Sequence, residues 1–306
     1  MSNDRIPVIL DTDIGSDIDD AVCLSYLLQQ PRCELLGITT VSGMARERAA
    51  LADAVCRAAG RTDIPIVAGT EVGLTSGVIV QPACPQAEVL PRFPHRHPQE
   101  FEPNAAVEFL RRTIRKHPGE ITLLAIGPMT NIGLLFATDP EIPALLQRVV
   151  VMCGMFNFCA PCPDPCVLEW NARCDPMATK ILYRPRVAEH RSVGLDVTVK
   201  CIMPVVDCID RFKAIGGPLA VVAAMTEVWK VHAHNVTFHD PLAAVCLFKP
   251  EICTWRAGQV SVVTGTGIVD GMTVMDWRGP QQSHLAAETV FPQLFLDEYF
   301  DVVGKK

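Results

Sequence analysis

The chain has 306 residues, 49% of them hydrophobic and 20% charged, which is enough for one large core, and no shift in composition marks a second domain. Its net charge is −7, from 27 basic and 34 acidic residues, and no Lys/Arg run supplies the basic face that a nucleic-acid partner needs. Apolar stretches such as Leu219 to Met225 fall far short of the roughly 20 residues that span a bilayer, so neither nucleic acid nor a membrane is expected as a partner.

The opening MSNDRIPVILDTD reaches a strand-like run with no basic segment and apolar stretch before it, which reads as no export signal. The 13 cysteines, an odd number, then read as reduced thiols in a cytoplasmic protein. Pro7 to Leu10 predicts a short strand ending in Asp11, and residues 19–29 (DDAVCLSYLLQ) predict a helix. Strands follow at Cys33–Thr40 and Ile64–Val67, with an Ala-rich helix at Glu47–Ala59 between them, stopped by Gly60. Residues 81–103 are Pro-rich and read as a long loop holding His95 and His97. A helix over Asn104–Lys116, with Asn104 as its cap, precedes strands at Glu120–Ile126 and Arg148–Met152. Residues 157–166 (NFCAPCPDPC) predict a second loop, and the glycine-punctuated run from Gly258 to Trp277 predicts an antiparallel hairpin at the sheet edge.

Uniformly apolar strands separated by helices imply an α/β fold, a Rossmann-like, mainly parallel central sheet with helices on both faces. The whole of 1–306 is expected to be a single domain. Ligands of such sheets bind beyond the carboxyl ends of the strands, so the residues that follow the strands carry the functional interest.

Asp11, Asp13, Asp17, Asp19 and Asp20 place five carboxylates within ten residues, just past a buried strand. So many like charges repel unless a cation compensates them, and a hard, oxygen-seeking ion, Ca²⁺ or Mg²⁺, is the natural partner. The bland alternative is a solvated turn with helix-capping aspartates, which suits one or two such residues better than five. An apolar strand ending in Asp-x-Asp also opens phosphatases of the haloacid dehalogenase type. There Asp11 would be the nucleophile and Asp13 the acid, beside Mg²⁺. That reading needs a later lysine in a phosphate-binding setting, and neither Lys180 nor Lys200 sits in one.

Four further segments follow in order: Gly127-Pro128-Met129-Thr130-Asn131, Glu169-Trp170-Asn171, Asp175-Pro176 and His239-Asp240-Pro241-Leu242-Ala243. With the acidic opening, from about residue 6 to 278, the chain resembles the inosine-uridine-preferring nucleoside hydrolases. The resemblance implies hydrolysis of the N-glycosidic bond of ribonucleosides to free base and ribose, with a Ca²⁺-bound water. It implies a metal shell of Asp13, Asp20, the Ile126 main-chain carbonyl and Asp240. Asp13 would also be the catalytic base, and His239 would protonate or polarise the leaving base. Asp19, Glu169 and Asn171 would hold the ribose. Met152 and Met155 follow a strand and are candidates to line the base pocket, with core packing expected for at least one of them. Asn131 would be structural, bonding the turn that presents the Ile126 carbonyl. The partners implied are a small nucleoside substrate and further copies of the chain in a homodimer or homotetramer.

The chain departs from the family in three places. Two extra residues precede the Asp19-Asp20 pair and leave Asp17 without an assigned role. Met44 stands where the family has an asparagine, and cannot supply its paired hydrogen bonds. In the third, Pro163-Asp164-Pro165-Cys166 stands where an asparagine is expected before Glu169, with Asp164 as a candidate substitute. Cys159, Cys162 and Cys166, with Cys153 and Cys174 nearby, read as free thiols rather than a zinc or cluster site, because no second Cys-x-x-Cys pairs with the first. An inactive relative that binds Ca²⁺ and ribose without cleaving is the non-enzyme alternative.

Overall fold

A strand whose side chains are buried on both sides needs cover on both faces, and β1 (Ile6–Thr12) obtains it: Val8 and Leu10 enter one core, Ile9 the opposite one. The same alternation holds at Leu123/Leu124 and at Val149/Val150. The computed structural model describes residues 5–74, 79–96, 101–156, 168–231, 233–265, 267–279 and 282–305.

The chain runs β1, α1 (Asp19–Gln29), β2 (Cys33–Thr40), α2 (Ala45–Ala58), β3 (Ile66–Ala68), α3 (Ala105–Lys116), β4 (Thr122–Ala125), α4 (Thr130–Thr138), α5 (Ile142–Leu145) and β5 (Arg148–Met152). It continues through α6 (Trp170–Cys174), α7 (Pro176–Tyr183), β6 (His190–Val193), α8 (Leu195–Thr198), β7 (Ile202–Pro204), α9 (Val205–Ile215) and α10 (Pro218–Trp229). The last elements are β8 (Asn235–Thr237), α11 (His239–Phe248), β9 (Cys253–Val262), β10 (Thr273–Asp276), β11 (His284–Val290) and α12 (Pro292–Val303).

Nine strands form one sheet in the order β10-β9-β11-β6-β5-β4-β1-β2-β3. The seven from β11 to β3 are parallel, and β9 and β10 add antiparallel strands at one edge, where the hairpin was expected. β7 and β8 pair separately as a small antiparallel ribbon. The two cores lie on opposite faces: α1, α2 and α9–α12 pack against one, α3, α4 and α7 against the other. The order 3-2-1-4-5-6 reverses at β1, which makes the carboxyl ends of β1 and β4 the expected binding crevice. Among the described residues, no helix is long and apolar enough to cross a membrane.

Several sequence expectations change, the bounds of β3 and β4 by up to two residues among them. Asn104 does precede α3, but in a left-handed conformation (φ 61°) with no side-chain cap bond, so its side chain is not the cap expected. The Pro-rich stretch is not all loop, because Pro85–Arg92 forms 3-10 turns pinned by buried Gln86, Val89 and Leu90. α2 begins at Ala45, two residues before its expected start. The loop at 157–166, with Cys159, Cys162, Asp164 and Cys166, lies outside the described residues, as does His97.

Candidate active site

A cavity of about 440 Å³ opens at the carboxyl ends of β1, β4, β5 and β6. Asp13 enters it one residue past β1, Ile126 one past β4, Met152 at the end of β5, and Leu195 two past β6. Asp19 and Asp20 come from the first turn of α1, and His239 and Asp240 from that of α11. α1 packs against α11, so the two helix starts meet. Both supply a positive dipole end that favours the carboxylates.

One carboxylate oxygen each from Asp19, Asp20 and Asp240 lies within 4.8 Å of the others, and all three residues are buried. The group is held from several sides. Thr12 Oγ1 donates to Asp20 Oδ1 in a short bond, the Asp13 N–H donates to the same oxygen (3.2 Å), and the Asp240 N–H donates to Asp19 Oδ2 (3.3 Å). These bonds leave the other oxygen of Asp19 and of Asp20 for a ligand. Burial raises the pKa of all three residues, and mutual repulsion among them, Asp13 and Asp17 raises it further. Asp13 is also raised, chiefly by burial, with the Arg48 guanidinium pulling it back. An all-oxygen, carboxylate-rich set in low dielectric fits a hard divalent cation, whose charge would relieve the repulsion.

The opposite wall is built on Glu169 and Asn171. Glu169 caps α6: Oε1 accepts the Asn171 N–H (2.7 Å), and Oε2 accepts those of Ala172 (2.9 Å) and Gly154 (3.0 Å). Asn171 Nδ2 donates to the carbonyls of Ile126 (2.6 Å) and Met152 (3.0 Å), tying β4 to β5 where both enter the cavity. The Ile126 oxygen keeps a second lone pair. His239 Nδ1 lies 2.8 Å from Thr198 Oγ1, and burial lowers its pKa to about 4, so the ring is neutral near pH 7 with Nε2 left for a ligand. Gly127 is required for close approach: a Cβ there would sit 2.9 Å from Asp13 Oδ1 and 2.7 Å from Val41 Cγ1.

Every residue singled out from the sequence as catalytic, substrate-binding or metal-binding lines this one cavity: Asp13, Asp19, Asp20, Ile126, Met152, Glu169, Asn171, His239 and Asp240. The structure groups Asp19 with Asp20 and Asp240, whereas the sequence reading set Asp19 on the ribose and Asp13 in the metal shell. Asp17 lines the rim. Met155 and His95 are not among the lining residues, and neither is Met44, which borders a separate polar hollow with Glu71 and Phe101. Asn131 is structural, but its Nδ2 binds Asp11 Oδ1 (2.7 Å) and the Thr40 carbonyl (2.9 Å), joining β1 to β2 rather than bracing the turn. Sequence reasoning missed Gln81, Leu195 and Trp229 in the lining. Trp170 lay unremarked inside a quoted motif, and nothing in the helical run around Trp229 signalled its place.

Asp11 disposes of the phosphatase reading. It is fully buried, outside the cavity lining, with Oδ1 held by Thr39 (2.5 Å) and Asn131, and burial pushes its pKa up to about 7. A nucleophile sealed from substrate cannot act, and among the described residues the Lys180 ammonium hydrogen-bonds only Thr264 Oγ1.

A family model described as inosine-uridine preferring nucleoside hydrolase matches residues 8–296. Uridine nucleosidase 1 of Arabidopsis thaliana is 30% identical over 290 residues, covering 89% of this chain and 84% of its own. A plant nucleoside hydrolase, the PpNRh1 enzyme, superposes with a TM-score of 0.83 at 23% identity, over 99% of this chain and 100% of its own. A purine-preferring ribonucleoside hydrolase from Gardnerella vaginalis does so with 0.81 at 24%, over 97% and 98%. At those identities, the two structural matches establish the fold.

Proposed function

The chain belongs to the inosine-uridine preferring nucleoside hydrolase family, and from that premise we propose that it hydrolyses the N-glycosidic bond of ribonucleosides, releasing free base and ribose. The observation that carries this reading is the meeting of Asp19 and Asp20 with Asp240, which stands 221 residues beyond Asp19. We take the metal to be Ca²⁺, held by these carboxylates with the Ile126 carbonyl, because an oxygen-only set rich in carboxylates suits it. When bound, the ion would supply Lewis-acid polarisation of water and a seat for the ribose diol.

The chain's own residues do the rest. Asp13, beside the cluster, takes the proton from the attacking water, and its raised pKa brings it closer to neutral pH, where a general base works best. Asp13, Asp17 and Asp19 face the oxocarbenium-like charge that develops on the sugar as the bond breaks, and stabilise it in a partly desolvated cavity. Glu169 and Asn171 fix the ribose side of the wall. His239 donates a hydrogen bond to the departing base as a neutral ring, and Met152 gives the base an apolar surface. Recognition centred on the sugar tolerates several bases. Met44, being away from the cavity, leaves this arrangement intact.

The test is a panel of purine and pyrimidine nucleosides with excess Ca²⁺, reading free base and reducing sugar. Base release by the wild type, lost by at least about a thousandfold in Asp13→Asn, is expected. A protein that binds Ca²⁺ and a ribose analogue but releases no base would be an inactive relative. Wild-type rates in Asp13→Asn would remove Asp13 as the base.

A single domain over 1–306, a homodimer or homotetramer and a cytoplasmic location complete the reading. The ten described cysteines are free thiols, which suits a reducing compartment. Light scattering on the purified chain tests the assembly.

A further inference from the structure

Arg48 is fully buried in the first turns of α2, yet no carboxylate oxygen is among its hydrogen-bond acceptors in the described residues. Nε donates to the Gly43 carbonyl (2.8 Å). Nη1 donates to the carbonyls of Asp13 (a short bond) and Ile14 (3.2 Å) and to Ser16 Oγ (2.9 Å). Nη2 donates to the carbonyls of Gln81 (3.1 Å) and Ala83 (3.0 Å). All five N–H donors of the guanidinium are thereby spent on neutral oxygens.

A buried cation without an ion-pair partner is costly unless its donors satisfy polar groups that would otherwise be left unpaired. What the charge holds explains its presence. The turn after β1 presents Asp13 and Ser16 to the cavity while Ile14 packs in the core, and among the described residues no backbone N–H serves the carbonyls of Asp13 and Ile14, which fall to the guanidinium. The turn is also pressed tight: Gly15 has φ +116°, and a Cβ there would lie 2.3 Å from Cys84 Sγ. Ser16 Oγ donates to the Ala83 carbonyl (3.0 Å), and Gln86 Nε2 to the carbonyls of Ser16 (3.2 Å) and Asp17 (2.9 Å), so the same two segments are laced together. Asp13, Ser16 and Gln81 all line the cavity, the first two on one of these segments and Gln81 on the other.

We propose that Arg48 is a positioning residue for catalysis: its guanidinium fork clamps the acidic turn at 13–16 to the segment at 81–83, and this clamp sets the place of Asp13. The fork is essential, because a lysine carries the charge but cannot reach both segments in fixed geometry. A displacement of about 1 Å at a reacting group costs on the order of 100-fold in rate.

The inference rests on the nucleoside hydrolase reading through Asp13. Its test uses Arg48→Met and Arg48→Lys in the full chain, with kcat and KM at saturating Ca²⁺, calorimetric Ca²⁺ titration, and melting temperature. Both variants are expected to lose kcat by about 100-fold with KM moving much less, and to bind Ca²⁺ about tenfold more weakly. Recovery of wild-type kcat in Arg48→Lys would show that charge suffices and overturn the clamp. Wild-type kcat and Ca²⁺ affinity in both, with only a lower melting temperature, would reduce Arg48 to a structural residue. Should neither variant fold, Ser16→Ala keeps Arg48 and removes one acceptor. It is expected to lose kcat by about 3- to 10-fold and to bind Ca²⁺ more weakly, since one of six contacts is gone, and unchanged values for both overturn the proposal. A wild type that releases no base would sink the functional reading alone, because Ca²⁺ titration still reports on Arg48.

Discussion

Removing Asp240 should strengthen the metal-free fold while it destroys the site. The oxygens of Asp19, Asp20 and Asp240 are at most 4.8 Å apart, and two unit charges at that distance repel by about 3 kcal/mol at an effective dielectric of about 20. Asp240→Asn removes two of the three repelling pairs. Part of that energy is already relieved by proton uptake, because all three pKa values are raised. A gain of about 2–4 kcal/mol at pH 8 remains, which for a chain of 306 residues corresponds to a rise in melting temperature of about 3–6 °C. Asp240 is the residue to change because burial and neighbouring carboxylates raise it and, among the described residues, nothing donates a hydrogen bond to its carboxylate, whereas Asp20 accepts from Thr12 Oγ1 and the Asp13 N–H. In the wild type, Ca²⁺ at about 100 times its Kd should restore about 2.7 kcal/mol, and the variant should gain little. Calorimetric melting of both proteins in EDTA and then across a Ca²⁺ titration reads the two effects. An EDTA-treated variant that melts at or below the wild type, or that keeps the full Ca²⁺ response, refutes the reasoning.

Gly127→Ala places a methyl 2.9 Å from Asp13 Oδ1, so it should cost about 1–3 kcal/mol of stability and lower kcat more than tenfold; steady-state kinetics alongside urea melts check both. Asn171→Leu leaves the Ile126 and Met152 carbonyls without their shared donor and should cost about 1–3 kcal/mol, read by urea unfolding. His190 is fully buried with both ring nitrogens unpaired among the described residues, and burial and His284 lower its pKa; that of His284 is lowered to about 4. Unfolded imidazoles protonate below about pH 6.5 while these two stay neutral, so stability should fall as pH drops from about 6.5 towards 4, by up to about 1.4 kcal/mol per unit for each ring. His190→Phe should flatten that fall when unfolding is compared at pH 7 and pH 5. The raised carboxylates act with the opposite sign, but equally in both proteins, so parallel curves would refute the assignment.

The bounds of α1, β2 and β5 were legible in the sequence because each is a periodic or wholly apolar run with clear punctuation. The region of α9 and α10 was not assigned, since α10 is apolar on most sides and its period is faint. Pro85–Arg92 looked like loop because prolines advertise breaks, yet 3-10 turns accept proline at their start. The cavity's carboxylates could be found, because strand ends and charge density announce them. Which of them group together could not, because that depends on how α1 and α11 cross. Arg48 was invisible for a different reason: in the run Ala45-Arg46-Glu47-Arg48, a solvated helix face is the ordinary reading, and only the turn folding over it reveals a buried fork.

Stability and catalysis should therefore be opposed at this site. Four buried carboxylates, Asp13, Asp19, Asp20 and Asp240, destabilise the metal-free chain by being close together. Two helix starts and one clamped arginine offset that strain only partly, since the arginine spends its donors on carbonyls. The remainder is available to a cation, and the strain that makes the empty site costly is the same free energy that draws the ion in. A substitution that relaxes the cluster should raise the melting point and lower Ca²⁺ affinity together. One that only loosens the clamp should lower both.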